Sequence, residues 1–292
     1  MNVASTSRPA RKLLPTWWVS LALAGTLGGV LYLVTSSLPF LVSSPTTDTH
    51  FGALNSCVLK NLAGPRLGFA LSWDTKNLVA YSASELVWCH ADGRAQKHSL
   101  QGITRAAFDG QGTLWLATRA SANQPPQLLH WSDQAEPSLL AQFAPTTLVG
   151  VKEGAMILDV QGQVTALRKS GEVGGSTPLK QGLASPTGLI ASDDGSLVLL
   201  VAATGVFAFR AADAAEVRRE SPCPVEYAWW LPNGSTARLA CAPDHSWALD
   251  VDMRSGTSEK AALQHSGAST LLPLSGLYVE SCDGLPCTAL AP

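Results

Sequence analysis

The chain has 292 residues, a formal net charge of −2 and 14% charged residues, against about 25% in an average soluble domain. Nothing in that balance suggests a basic nucleic-acid surface or a polybasic lipid patch, so no nucleic-acid partner is expected. Six cysteines, the first at Cys57, fit an oxidising compartment.

The first element is apolar. From Leu13 to Thr47 there is no charged residue, and the core Trp17–Val34 reads WWVSLALAGTLGGVLYLV. At about 1.5 Å per helical residue this nearly matches a hydrocarbon layer of about 30 Å, with Leu13, Leu14 and Leu38–Phe40 extending it. A soluble helix of this length would show a polar stripe, and none is present. Trp17 and Trp18 at one end and Tyr32 near the other suit the headgroup levels. Gly25 and Gly29 have the spacing of a close helix contact, although glycine is common in membrane helices generally. Arg8, Arg11 and Lys12 precede the segment and no Lys or Arg follows until Lys60. The positive-inside rule therefore predicts a cytoplasmic N-terminus and an exported remainder. A cleaved signal peptide also begins with basic residues, but its apolar region spans about 7–15 residues and ends at a small-x-small site that is not clear here. The expected organisation is a tail over 1–12, a transmembrane helix over 13–40, a linker over 41–55 and an extracytoplasmic domain over 56–292.

The linker's SSPTTDTH, Ser43–His50, leads into SCVLKNL, Ser56–Leu62, which reads as an unattached strand. A repeat follows. LSWDTKNLVAYS (71–82), FDGQGTLWLAT (108–118), IASDDGSLVLLV (190–201) and AWWLPNGSTARLAC (228–241) each hold a short strand, a polar turn and a more apolar strand. Gly112 and Gly195 stand two units of about 41 residues apart. LVGVKEGAMILDV (148–160), with Gly154, is a degenerate unit between them, and TLLPLSGLYVES (270–281) is a last copy turning at Ser275–Gly276. Asn-Gly, Asp-Gly and Ser-Gly tolerate the positive φ of tight hairpins. Third strands follow as ELVWCHA, QLLHWSD, VTALRKS, GVFAFRA, SWALDVD and CTALA. Four strands in about 40 residues, repeated without intervening helices, predict an all-β fold: a single β-propeller, six blades favoured and five or seven open. The last unit ends after three strands, so the strand at Ser56–Leu62 is expected to close the ring as its missing outer strand.

Cys282 and Cys287 flank Asp-Gly-Leu-Pro, which suits a disulfide across a hairpin. Cys223 and Cys241 bracket a strand–turn–strand pattern, leaving Cys57 and Cys89, with Cys57 to the last blade as a competing pairing. CDGLPC lacks the CxxC spacing of a zinc site.

The strings ITRAAFDGQGTLWLAT and SPTGLIASDDGSLVLLVAATGVFAF resemble blades of six-bladed lactonase-like propellers, which include the gluconolactonase/regucalcin, strictosidine synthase-like and NHL-repeat groups. The resemblance covers about two blades well and the rest as a period. It implies a central divalent metal held by carboxylates and asparagines. Where those proteins have Pro-Asn-Gly-Leu, this chain has Pro186-Thr187-Gly188-Leu189, and where they have Asn-Asp it has Thr104-Arg105. Threonine is a poor ligand and a channel-facing arginine repels a dication. Pro232-Asn233-Gly234 falls at a hairpin turn instead.

Other chemistry is sparse. His50, His90, His98, His130, His245 and His265 form no i, i+4 metal pair, and no GxSxG elbow, phosphate loop or dinucleotide fingerprint is present. Asp193-Asp194-Gly195-Ser196 lacks the alternate oxygens of a calcium loop. Asn233-Gly234-Ser235 is a glycosylation sequon if the source is eukaryotic. Trp73, Trp88, Trp115, Trp131 and Trp247 read as strand residues that fill the spaces between blades. No cofactor, metal or catalytic residue is assigned. The expected function is a membrane-anchored, non-catalytic interaction or scaffold subunit with a protein partner in or near the bilayer. The alternatives are a lactonase- or esterase-like hydrolase with a divergent centre, or a small-ligand sensor. Composition favours a bacterial inner membrane with the domain in the periplasm; a type II protein of a eukaryotic secretory membrane carries the same signals.

Overall fold

Short apolar runs between Gly-, Asn- and Asp-bearing turns form strands that sheet neighbours then bury on both faces. The computed structural model describes residues 51–121, 124–132, 136–179, 186–202, 205–220, 223–241, 247–262, 270–271 and 278–289. The expected membrane helix, with Arg8, Arg11, Lys12, Trp17, Trp18 and Tyr32, lies outside the described residues. Among the described residues no helix is long and apolar enough to cross a membrane.

Blade 1 comprises β1 (Gly68–Leu71), β2 (Asn77–Tyr81), β3 (Glu85–His90) and β4 (Ala95–Ser99); blade 2 comprises β5 (Ile103–Phe108), β6 (Leu114–Thr118), β7 (Gln127–Trp131) and β8 (Ser138–Ala141). Blade 3 follows with β9 (Thr147–Val151), β10 (Gly154–Leu158), β11 (Gln163–Arg168) and β12 (Val173–Pro178). Blade 4 has β13 (Pro186–Ala191), β14 (Leu197–Ala202), β15 (Gly205–Arg210) and β16 (Glu216–Glu220), and blade 5 has β17 (Val225–Trp230), β18 (Thr236–Cys241), β19 (Trp247–Asp252) and β20 (Ser258–Ala262). These are five four-stranded antiparallel meanders. A sixth sheet has three described strands, β21 (Thr270–Leu271), β22 (Tyr278–Cys282) and β23 (Leu285–Ala289). The innermost strands neighbour one another from blade to blade, and β23 returns to β1, so the sheets follow one another around an axis.

The second strands are the most buried. Every residue of β6, β10 and β14 is buried, because each sheet is covered by a neighbour on both sides. Between blades 1 and 2 the filling is aromatic. Trp88 meets Phe108 and Trp131 edge-on at 5.3 and 5.4 Å between ring centroids, and all three are buried. Trp115 and Trp230 are likewise buried between sheets.

A second set of contacts runs around the outside, where each outer strand reaches the end of the third strand, or the following turn, of the next blade. His98 of β4 packs edge-on against Trp131 at 4.2 Å. Leu140 of β8 fills the space above Gly171. Thr177 of β12 donates to Ala214 O at 2.7 Å, and Arg218 of β16 lies against Gly256.

At the ring's closure this contact is made by a helix, α1 (Gly52–Asn61). This corrects the strand expected over Ser56–Leu62. Phe51, Leu54, Val58 and Leu62 recur at spacings of three and four, the period of one helical face, and all four are buried with Leu78, Val87, Val279 and Leu285 of the first and last sheets. Lys60 in the last turn suits the helix dipole, and the Leu62 N–H still reaches Val58 O while its backbone turns extended. Cys57 on α1 is bonded to Cys89 at the end of β3, the position that His98–Trp131 and Thr177–Ala214 hold elsewhere. Asn55 Nδ2 donates to Pro286 O at 3.1 Å, and Arg66 Nε donates to Asp283 O at 2.9 Å, so the segment from α1 to β1 grips the last sheet too. The other disulfides are Cys223–Cys241, tying the entry of β17 to the end of β18, and Cys282–Cys287 across the β22–β23 hairpin.

Candidate functional site

The turns joining the first and second strands converge on the axis at one face. In four blades this turn has five residues: Ser72–Lys76, Asp109–Thr113, Ser192–Ser196 and Leu231–Ser235. An acid or amide side chain folds each back on itself. Asp74 Oδ1 accepts from Lys76 N, Asp109 Oδ1 from Gln111 N and Thr113 N, Asp194 Oδ1 from Ser196 N, and Asn233 Oδ1 from Ser235 N and Thr236 N. Asn233 is thus a turn residue, as its sequence position implied.

Trp73 does something the strand reading missed. It lies in a turn rather than a strand, and it is only 7% exposed. Its indole extends across the axial mouth to the corresponding turns of blades 2 and 4. A Cβ at Gly110 would meet the ring at 3.1 Å, and one at Gly195 would meet it at 2.5 Å. Those two glycines leave the room that the indole occupies, and Gly110 N–H donates to Val151 O at 2.9 Å to join blades 2 and 3 at the same level. Among the described turns at this face, Trp73 thus bridges blade 1 to blades 2 and 4.

Blade 3 breaks the pattern. Its first turn is only Lys152–Glu153, with Val151 and Gly154 paired directly across it. Gly154 at φ 141° adopts a conformation that a side chain would strain, and a Cβ there would run into Leu167 O. The acid–glycine turn is displaced one hairpin onward, where Asp159 Oδ1 accepts from Gln161 N and Gln163 N, both at 2.8 Å. The short turn leaves a cleft of about 770 Å³ beside the axis, bordered by Gln111, Lys152, Glu153, Lys169, Gly195 and Arg210 among others. Its floor is the buried Val151, Leu167 and Ala211.

The charges around it are unequally matched. Arg210 Nε and Nη2 donate to the two Asp213 oxygens at 2.8 and 2.6 Å; this contact raises the arginine pKa and holds the Asp213 carboxyl below its usual range. Arg168 stands 4.0 Å from Glu172, both well exposed, a weak pair. Lys152 and Lys169 have no ion pair among the described residues. Beyond the cleft, burial pushes the Asp193 carboxyl up; the backbone N–H of Asp194 opposes this, while the Asp194 charge adds to it. Burial also acts to raise Asp194, but donors from Ser196 and Ser192 and the Arg254 charge together hold it low.

Arg105 is exposed and donates to Thr104 O at 2.7 Å, while the side chain of Thr187 lies outside the described residues. Burial raises the Tyr81 hydroxyl pKa, and the nearby Arg105 charge opposes this. Among the described residues no group of three or more His, Cys, Asp or Glu side chains is placed to hold a metal. His90 stacks on Trp88 and His130 lies edge-on to Trp115, both within blades.

No protein-family model and no curated protein matches the chain. Among solved structures it is similar to the β-propeller domain of Myceliophteria thermophila Cps50 (Swd1), at 9% identity and a TM-score of 0.54 over 77% of this chain and 81% of that one. The chain is an all-β propeller. At that identity the likeness speaks to the fold alone, and it singles out neither the lactonase-like nor the NHL-repeat group. The three disulfides fit an extracytoplasmic, oxidising location.

Proposed function

We propose that the protein is a non-catalytic interaction module, tethered through residues 13–40 to a membrane with its propeller on the extracytoplasmic side, and that it binds a protein partner in or near the bilayer. The observation that carries this reading is Trp73 lying across the axial mouth, while the adjoining cleft is built from turns between blades 3 and 4. A propeller that acts on a small molecule at its centre needs an open funnel. A mouth bridged by an indole beside an off-axis cleft suits recognition of another chain. The uncharged stretch from Leu13 to Thr47, the preceding Arg8, Arg11 and Lys12, and the three disulfides support the tether and its direction.

Affinity capture of the full chain from detergent-solubilised membranes tests the proposal. A protein partner recovered in constant proportion is expected. A monomer free of partners, or one tightly held divalent ion per chain by elemental analysis, would overturn it, the latter in favour of a hydrolase.

A further inference from the structure

We infer that the cleft between blades 3 and 4 recognises an acidic, extended segment of the partner protein, with Lys152 and Lys169 pairing with its carboxylates. This rests on the interaction-module reading above.

Three observations converge on it. The cleft exists because blade 3 has a two-residue turn where its neighbours have five, so the hollow is specific to one blade. Four cations border it, Lys152, Arg168, Lys169 and Arg210, against one acid, Glu153. Asp213 occupies Arg210, and Glu172 only weakly engages Arg168. Lys152 and Lys169 are left without ion pairs among the described residues, in a chain whose net charge is −2.

Geometry then limits the ligand. Lys152 follows β9 and Lys169 follows β11, two strand spacings apart in one sheet, or about 10 Å. An extended peptide rises about 3.3 Å per residue and its side chains alternate faces, so carboxylates four positions apart, about 13 Å along one face, would bracket the two ammonium groups on their flexible stems. The floor of Val151, Leu167 and Ala211 receives an aliphatic side chain between them. A nucleic acid would require a longer basic track than these few cations around one cleft. The cleft is concave with an apolar floor, which favours an inserted segment over a flat anionic membrane.

The experiment uses the full chain in detergent and labelled nonapeptides bearing aspartates four apart with leucine, valine or alanine midway between them, each beside its asparagine counterpart. Fluorescence anisotropy at low salt is expected to show binding of the aspartate peptides only. That binding should weaken about tenfold or more in Lys152→Gln/Lys169→Gln, and also in wild type as salt is raised. Equal affinity for the asparagine peptides, or no effect of the double variant with its melting temperature unchanged, overturns the inference. So does Lys152-dependent flotation with anionic vesicles in the absence of peptide binding. Capture with the double variant separates the two readings. A partner retained undiminished sinks the cleft assignment and leaves the interaction module standing, whereas no partner with either protein sinks the module itself.

Discussion

Trp73 shows how far a single side chain departs from what its sequence context implies. Its neighbours Ser72 and Asp74 build an ordinary turn, with the Ser72 hydroxyl donating to Asp74 Oδ1 at 2.7 Å, and nothing local directs the indole inward. It is buried by turns on other blades, which fixes both its role and the penalty for removing it. Trp73→Ala is expected to lower unfolding free energy by about 3–5 kcal/mol in denaturant titrations, with Trp73→Phe losing less. Asp252 acts through its charge. Backbone N–H groups of Ser255 and Arg254 and the Ser235 hydroxyl hold its pKa at about 2, although burial opposes them. The folded value lies below the unfolded one, so its stabilisation is present above about pH 4 and disappears as pH falls towards 2. Asp252→Asn should therefore melt earlier than wild type at pH 7, with the gap closing near pH 2. His98 moves the same way at higher pH. Burial against Trp131 lowers its pKa despite Glu136, so protonation disfavours the fold. Stability should begin to fall as pH drops through about 6.5, the unfolded value. His98→Phe should remove that part of the decline in melting temperature.

At the scale of elements, regular features were legible and exceptions were not. The turns at Gly112, Gly195 and Asn233–Gly234 and the third strands are set by local backbone chemistry, so they stand where the repeat put them. The third unit looked degenerate because its acid–glycine turn had moved to Asp159–Gly162. The repeat instead put Gly154 in that role, and the consequence of the move, a cleft, depends on the longer turns of adjacent blades. The α1 segment was misread for a different reason. Cys-Val-Leu invites a strand assignment, yet Phe51, Leu54, Val58 and Leu62 carried a helical period that reached back beyond the segment considered. The Cys57–Cys89 bond spans 32 residues and ties this helix to the first blade. Cys57→Ser/Cys89→Ser should lower unfolding free energy by about 2–4 kcal/mol, measured beside the wild type without reductant.

At the scale of the whole molecule, the helix solves the problem posed by a last sheet with only three described strands. An open ring would leave the flank of blade 1 and the apolar faces of β22 and β23 wet, and α1 covers both with a buried apolar face. The outer contacts repeat from blade to blade with different chemistry, an aromatic pair, a leucine, a hydroxyl and an arginine, and the disulfide takes the same place at the closure. By itself, the sequence determined the repeat, the all-β class and the turns, because hydrophobic period and turn chemistry act over a few residues. It also determined the charge pattern from which the tether is proposed. Tertiary structure decided that a helix closes the ring, that Trp73 reaches the turns of blades 2 and 4 and that a cleft opens beside blade 3. Each of these depends on distances between blades, and the ring sets those distances only once every sheet is in place.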